Sequence, residues 1–169
     1  MQAMEKDPHR RAQEHRLFRR LQARARLLEL ARTPPPSAAD NELARLKVYL
    51  DEWVKWEEGG DASDLAMPQS ASFAPDITSA TTATEYTERS NRWAMEVIQH
   101  AVNEDLLERL EGSAMRQALR VRWLNEKVGA KVFRHGRLEP LLLAEVDDLA
   151  DRAERELVVI VKKRGLPLA

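Results

Sequence analysis

The sequence predicts an all-α protein built as a small helical bundle. Several long segments repeat their apolar residues at three- and four-residue spacing. None shows sustained strand-like alternation. Glycine is also scarce, at six residues in 169, which again favours helices over sheets.

The first element expected is a basic helix over residues 9–32. That window holds eight arginines against only Glu14 and Glu29. Leu17, Leu21 and Leu28 mark one side of it, with Phe18 and Ala25 beside them. Thr33-Pro34-Pro35-Pro36 ends it, because three prolines cannot continue a helix. Eight arginines suit contact with phosphate or an acidic protein surface, and Arg16, Arg19, Arg20 and Arg24 are the candidate residues for binding nucleic acid or an acidic protein. The plainer reading is an exposed helix whose arginine stems cover apolar surface.

A second helix is expected from about Asn41 to Glu58, with Leu43, Leu46, Leu50, Trp53 and Val54 on its apolar stripe and Trp56 off centre. Together residues 1–58 form the N-terminal unit. Composition then changes. No lysine or arginine occurs between Lys55 and Arg89, and small, hydroxyl and proline residues dominate, so 59–84 reads as a linker or loop. Met67, Phe73 and Ile77 within it are apolar enough to dock.

The C-terminal unit, 85–169, opens with a helix from Glu85 to about Leu110, with Trp93, Val97, Ala101 and Asp105 sharing one side and Met95, Ile98, Val102 and Leu106 widening the buried surface. Gly112-Ser113 breaks it. A fourth helix follows from Ala114 to about Phe133, with Met115, Leu119 and Trp123 towards the core. After a turn at His135-Gly136, Pro140 suits the first turn of a short helix from Leu141 to Val146. Asp147-Asp148 favours a break there, though one continuous helix fits too. The last helix, from Leu149, buries Leu149, Ala153, Leu157, Ile160 and Val161, while Arg152, Arg155, Lys162 and Lys163 share a separate flank. Gly165 stops it and Pro167 forbids its return. The expected core is Trp53, Trp93, Val97, Leu119, Trp123 and Leu157.

Composition bounds function. At 43% hydrophobic and 33% charged, the chain is globular with a modest core. A formal net charge of -1 means that any polyanion binding must come from local patches. The absence of cysteine removes disulfides, thiol nucleophiles and cysteine-ligated zinc, and suits a cytosolic protein. No apolar run approaches the roughly 20 residues that span a bilayer, and the basic N-terminus has no apolar core behind it. His9, His15, His100 and His135 stand far apart, and no phosphate-cradling glycine loop, GxSxG or HExxH occurs. Asp147, Asp148 and Asp151 read as a solvated acidic cluster. The expectation is a binding protein, not an enzyme, with no metal, no cofactor and no membrane partner.

One further likeness comes from order and spacing. Leu50-Asp51-Glu52-Trp53-Val54-Lys55-Trp56 is followed by Met67-Pro68-Gln69-Ser70-Ala71-Ser72-Phe73, then by the helix from Trp93 to Leu107. Arg116-Gln117-Ala118-Leu119-Arg120-Val121-Arg122-Trp123-Leu124 comes next, and Ala153 to Leu166 closes on Lys163-Arg164-Gly165-Leu166. This succession resembles the Q-like late-gene transcription antiterminators of temperate phages and prophages of proteobacteria. Met67 stands where an aromatic is usual, Glu111-Gly112-Ser113 replaces a Leu-Pro, and the arginine-rich front end has no counterpart.

The resemblance implies a factor of the bacterial host's cytoplasm that binds DNA near a late promoter, engages paused RNA polymerase and lets it ignore terminators. It also implies a C-terminal helix-turn-helix-like unit, with Leu149–Arg164 as the candidate recognition helix. Arg152, Arg155, Lys162, Lys163 and Arg164 would then be the DNA-binding residues, donating to phosphates or guanine edges, with Asp148, Asp151 and Glu156 limiting that surface. Two alternatives stand beside it. One is a helical protein-binding adaptor of a phage with no nucleic-acid role. The other is a regulator that binds RNA through residues 9–32.

Overall fold

The computed structural model describes residues 8–59, 83–129 and 133–168, and they are helical with no strand among them. Five α-helices follow in order: α1 (Pro8–Arg32), α2 (Asp40–Gly59), α3 (Ala83–Asn103), α4 (Gly112–Val128) and α5 (Leu143–Lys163). Short 3-10 turns lie at Asp105–Glu108 and Gly136–Leu138. The linker expected at 59–84, with Met67, Phe73 and Ile77, falls almost wholly outside the described residues.

The core forms around α5. Its buried residues Val146, Leu149, Ala150, Ala153, Leu157, Val158, Ile160 and Val161 recur at helical spacing, and α2, α3, α4 and the first 3-10 turn all pack on it. Leu46 and Leu50 of α2, Ile98 and Val102 of α3, and Met115 and Leu119 of α4 complete a single contiguous core. Trp53 is buried as expected. Its indole Nε1 donates to Gln99 Oε1 at 2.7 Å, and its ring meets half-buried Trp123 edge-on at 5.7 Å.

Trp93 departs from the expectation. It is 43% exposed, because the buried side of α3 is centred on Ala94, Ile98 and Ala101. At about 100° per residue Trp93 lies at the rim of that face, with Val97 marking its edge.

Three boundaries also differ. α3 ends at Asn103, and the 3-10 turn at Asp105–Glu108 takes over what reads as its last turn. The reversal into α4 is made by Glu111, held at φ 56, while Gly112 becomes the first residue of α4. Glycine is required at 112 by close approach: a Cβ there would collide with the Leu106 carbonyl. α4 stops at Val128, short of Phe133, with Gly129 at φ 72 closing it.

α5 is one unbroken helix through Asp147 and Asp148, and there is no separate helix at 141–146. The apolar register runs without interruption from Val146 into Leu149 and Ala150, so burial overrides the local preference of two aspartates. Pro140 lies before the helix. Its N-cap is Leu142, whose backbone N–H donates to the Glu145 carboxylate at 2.6 Å. At the other end Gly165 N–H bonds Lys162 C=O and Leu166 N–H bonds Val161 C=O, both at 3.0 Å. With Gly165 at φ 85 this is a Schellman closure, and buried Leu166 packs back on the helix it ends.

α1 is attached differently. Of its 25 residues only Leu30 is buried, with Leu27 packing beside it. No helix among the described residues is long and apolar enough to cross a membrane.

This packing sets unequal costs. Leu157→Ala should destabilise by about 2–5 kcal/mol in urea unfolding, and Trp93→Ala by much less. Gly112→Ala should also destabilise, although alanine in an open helix gains roughly 0.5–1 kcal/mol over glycine. A Gly112→Ala variant as stable as the parent would contradict the close approach to Leu106.

Candidate nucleic-acid interface

Two cationic surfaces are expected, and the fold treats them oppositely. On α5, three of the five candidates are engaged inside the molecule. Arg152 donates to the backbone carbonyls of Leu30 at 2.9 Å and Thr33 at 2.7 Å. It therefore faces the end of α1, half-buried, which corrects the expectation of a solvent-facing reader. Lys162 pairs with Glu42 of α2. Arg164 grips Asp105 through two nitrogens, Nη2 donating to Oδ1 at 2.8 Å. Arg155, half-buried, and Lys163, exposed, have no ion-pair partner among the described residues.

Sequence position explains much of this surface. Glu145, Asp147, Asp148 and Asp151 lie towards the N-terminus of α5, and Lys162 and Lys163 in its last turn. Each sign sits where the helix macrodipole favours it. A recognition helix contacts bases mainly through its N-terminal residues, and in α5 those are carboxylates, which repel phosphate. The connection from α4, residues 129–142, is also much longer than the 3–4-residue turn of a helix-turn-helix.

The acidic residues of α5 are not simply solvated. Arg122 of α4 donates through Nη1 to Asp151 at 2.7 Å and Glu154 at 3.2 Å, and through Nη2 to the Asp147 carbonyl at 2.7 Å. Glu154 is buried and receives Lys47 of α2 at 3.6 Å on its other oxygen. Burial disfavours the Arg122 cation, yet its bonds to Asp151 and Glu154 prevail and hold its pKa above the ordinary arginine value. This network ties α2, α4 and α5. Sequence reasoning misses it, and its only sequence signal is an arginine within one turn of Leu119 and Trp123.

On the forward half of α1 most arginines are free of ion pairs among the described residues. Arg16, Arg19 and Arg20 are exposed and carry no ion pair among the described residues. Arg24 lies 3.4 Å from Glu145, and Arg26 lies 3.8 Å from Glu111; both pairs are at the end that meets the body. Arg10 pairs along the helix with Glu14 at 3.2 Å. Residues 8–22 are exposed throughout, so among the described residues this half of α1 presents cations with no carboxylate of the body against them.

The histidines do not assemble a site. His100 Nδ1 lies 3.0 Å from Glu104, and His135 Nδ1 accepts from the Arg137 backbone N–H at 3.2 Å as a turn cap. Among the described residues no three metal-binding side chains cluster.

No known family model, curated protein or solved structure matches the chain.

Two outcomes follow from the pairings. Arg122→Met should destabilise by up to about 3–5 kcal/mol, since it leaves buried Glu154 with Lys47 alone, and adding Glu154→Gln should recover part of the loss in equilibrium unfolding. Asp105 has its pKa lowered, chiefly by the hydrogen bond from Arg164. A depressed carboxylate contributes stability above its ordinary pKa and loses it as pH falls through the folded value. The stability gap between parent and Asp105→Asn should therefore close in acid below about pH 4. A gap that stays constant from neutral pH into acid would assign the pair no role in stability.

Proposed function

We propose that the protein is a transcription antitermination factor, not an enzyme, that binds DNA near a late promoter and RNA polymerase, and that α1 makes its nucleic-acid contact. The family resemblance from Leu50 to Leu166 supports the regulatory role. The single observation that carries the choice of surface is the run of exposed arginines Arg16, Arg19 and Arg20, without ion pairs among the described residues, on the forward half of α1. Phosphates engage such cations without surrendering existing ion pairs. Binding through α5 would first require Arg152, Lys162 and Arg164 to leave the carbonyls and carboxylates that hold them. In this reading α4 and α5 are the scaffold, and Arg155 and Lys163 contribute at most a weak auxiliary contact.

The C-terminal helix-turn-helix-like reading remains part of the proposal only as a scaffold relationship between α4 and α5. RNA is the natural competitor for the same arginines, since an arginine-rich helix reads phosphate in either polymer.

Electrophoretic shifts with duplex DNA and with single-stranded RNA, repeated across salt concentrations, test the assignment. Changing Arg16, Arg19, Arg20 and Arg24 together to alanine should weaken duplex binding and flatten its salt dependence. The slope should fall by up to about 3–4, near 0.9 for each phosphate that is no longer neutralised. Folding should be retained, because alanine preserves helix propensity. Arg155→Ala with Lys163→Ala should change little. In a terminator read-through assay with purified polymerase, the parent should raise read-through and the α1 variant should not. If the quadruple variant binds duplex with the parent's affinity and slope, α1 is not the interface.

A further inference from the structure

The side of α1 away from the body carries apolar side chains that nothing among the described residues covers. Leu17 is 58% exposed, Phe18 58%, Leu21 67% and Leu28 65%. At about 100° per residue, Leu17, Leu21 and Leu28 fall within about 40° of one another, with Ala25 and Phe18 adjoining. They form a ridge about 17 Å long. The inward side is another face, where Leu27 and Leu30 meet the core. Four large apolar side chains exposed in one line are not a scattered surface residue or two.

α1 also lacks what normally stabilises a helix. It gains little burial, and Arg16 and Arg20, like Arg20 and Arg24, stand four apart with like charge. Such spacing destabilises a lone helix. Most helical stability in proteins comes from packing of an apolar face, and in α1 no described residue covers that face along its front half. A covering surface must supply apolar contact to the ridge and negative charge to its flanks.

The flanks identify the chemistry. Arg20 and Arg24 border the ridge on one side, Arg11 borders it on the other, and Arg10 and Arg32 lie in line with its two ends. α1 has eight arginines against two glutamates, a net +6. A second α1 would set arginine against arginine. Nucleic acid would satisfy the arginines and leave the leucines in water. Arg19, on the far side of the helix from Leu21, is spare for phosphate.

We infer that the Leu17–Phe18–Leu21–Leu28 ridge of α1 docks an acidic amphipathic helix of a protein partner, with apolar residues along its seam and glutamate or aspartate on its edges. The contact is a short two-helix packing, in which the leucines provide the anchor and the bordering arginines select the partner by charge. Its leucines take no part in the nucleic-acid reading, although Arg20 and Arg24 on its border are shared with that reading.

The full chain tests this with a fluorescent synthetic helix carrying leucine at heptad a and d positions and glutamate at e and g. A control peptide replaces every glutamate with lysine. Anisotropy should report binding of the acidic peptide and none of the basic one. Leu21→Gln and Leu28→Gln should each weaken it by roughly tenfold or more. Both positions are exposed and glutamine is a good helix former, so circular dichroism and melting temperature should not move. The same variants should shift duplex DNA as the parent does. Arg11→Gln with Arg20→Gln should reduce the salt dependence of peptide binding. Four results would each overturn the inference: leucine variants that hold the acidic peptide as tightly as the parent, equal binding of the basic peptide, a parallel loss of DNA binding in the leucine variants, or sedimentation showing a dimer abolished by Leu21→Gln. The last would assign the ridge to a second copy of the chain.

Discussion

Arg152 links the two halves of the molecule. Its guanidinium donates to the carbonyls of Leu30 and Thr33, where the end of α1 leaves carbonyl groups without helical partners. A cation there also meets the negative end of the α1 dipole. One side chain of α5 thus caps α1 and fixes it to the body, beside the buried Leu30. What α1 can reach depends on that clasp, because the forward half of the helix has no comparable attachment.

The clasp follows from how much of α5 is used for packing. With α2, α3, α4 and a 3-10 turn against it, only a narrow strip of α5 meets water. Charges at the edge of such a strip lie within reach of neighbouring helices. Arg152, Lys162 and Arg164 each bond to a different neighbour, and the carboxylates Asp151, Glu154 and Glu156 receive Arg122, Lys47 and Arg109 in return. Individually the exposed pairs contribute little. Their larger effect is to fix how the helices lie together, and they leave α5 few cations to offer a ligand.

The legible part of the chain is the part governed by burial. The apolar spacing of α2 and α5 finds Leu46, Leu50, Trp53, Leu149, Ala153, Leu157, Ile160 and Val161, all of them buried. Trp93 is misplaced because a stripe read by residue size puts its centre on the largest side chain, whereas the neighbours of α3 set that centre at Ala94, Ile98 and Ala101. The supposed break at Asp147-Asp148 fails for a related reason: a local preference worth tenths of a kcal/mol yields to a continuous buried face. The α5 cations are harder still. Spacing shows that Arg152, Lys162 and Arg164 point away from the core, but not that Thr33, Glu42 and Asp105 wait there. Those partners are 59 to 120 residues distant in sequence.

A net charge of -1 conceals a separation of sign that these pairings preserve. With +6 in α1, the other described residues, which form the body, carry -4. A cation close to that body is opposed by it, as Arg24 beside Glu145 and Arg26 beside Glu111 illustrate. Screening limits the opposition to about 8 Å at physiological ionic strength. From Arg24 out to Arg10 the helix advances about 21 Å. Arg16, Arg11 and Arg10, about 12–21 Å out, therefore lie beyond the field of the acidic body, while the clasp at Leu30 and Thr33 keeps them attached to it. Shortening α1 by two or three turns would do more than remove charges. With turns removed from its free end, the arginines that remain are those nearest the carboxylates of the body, so affinity for a polyanion should fall more steeply with helix length than with arginine number.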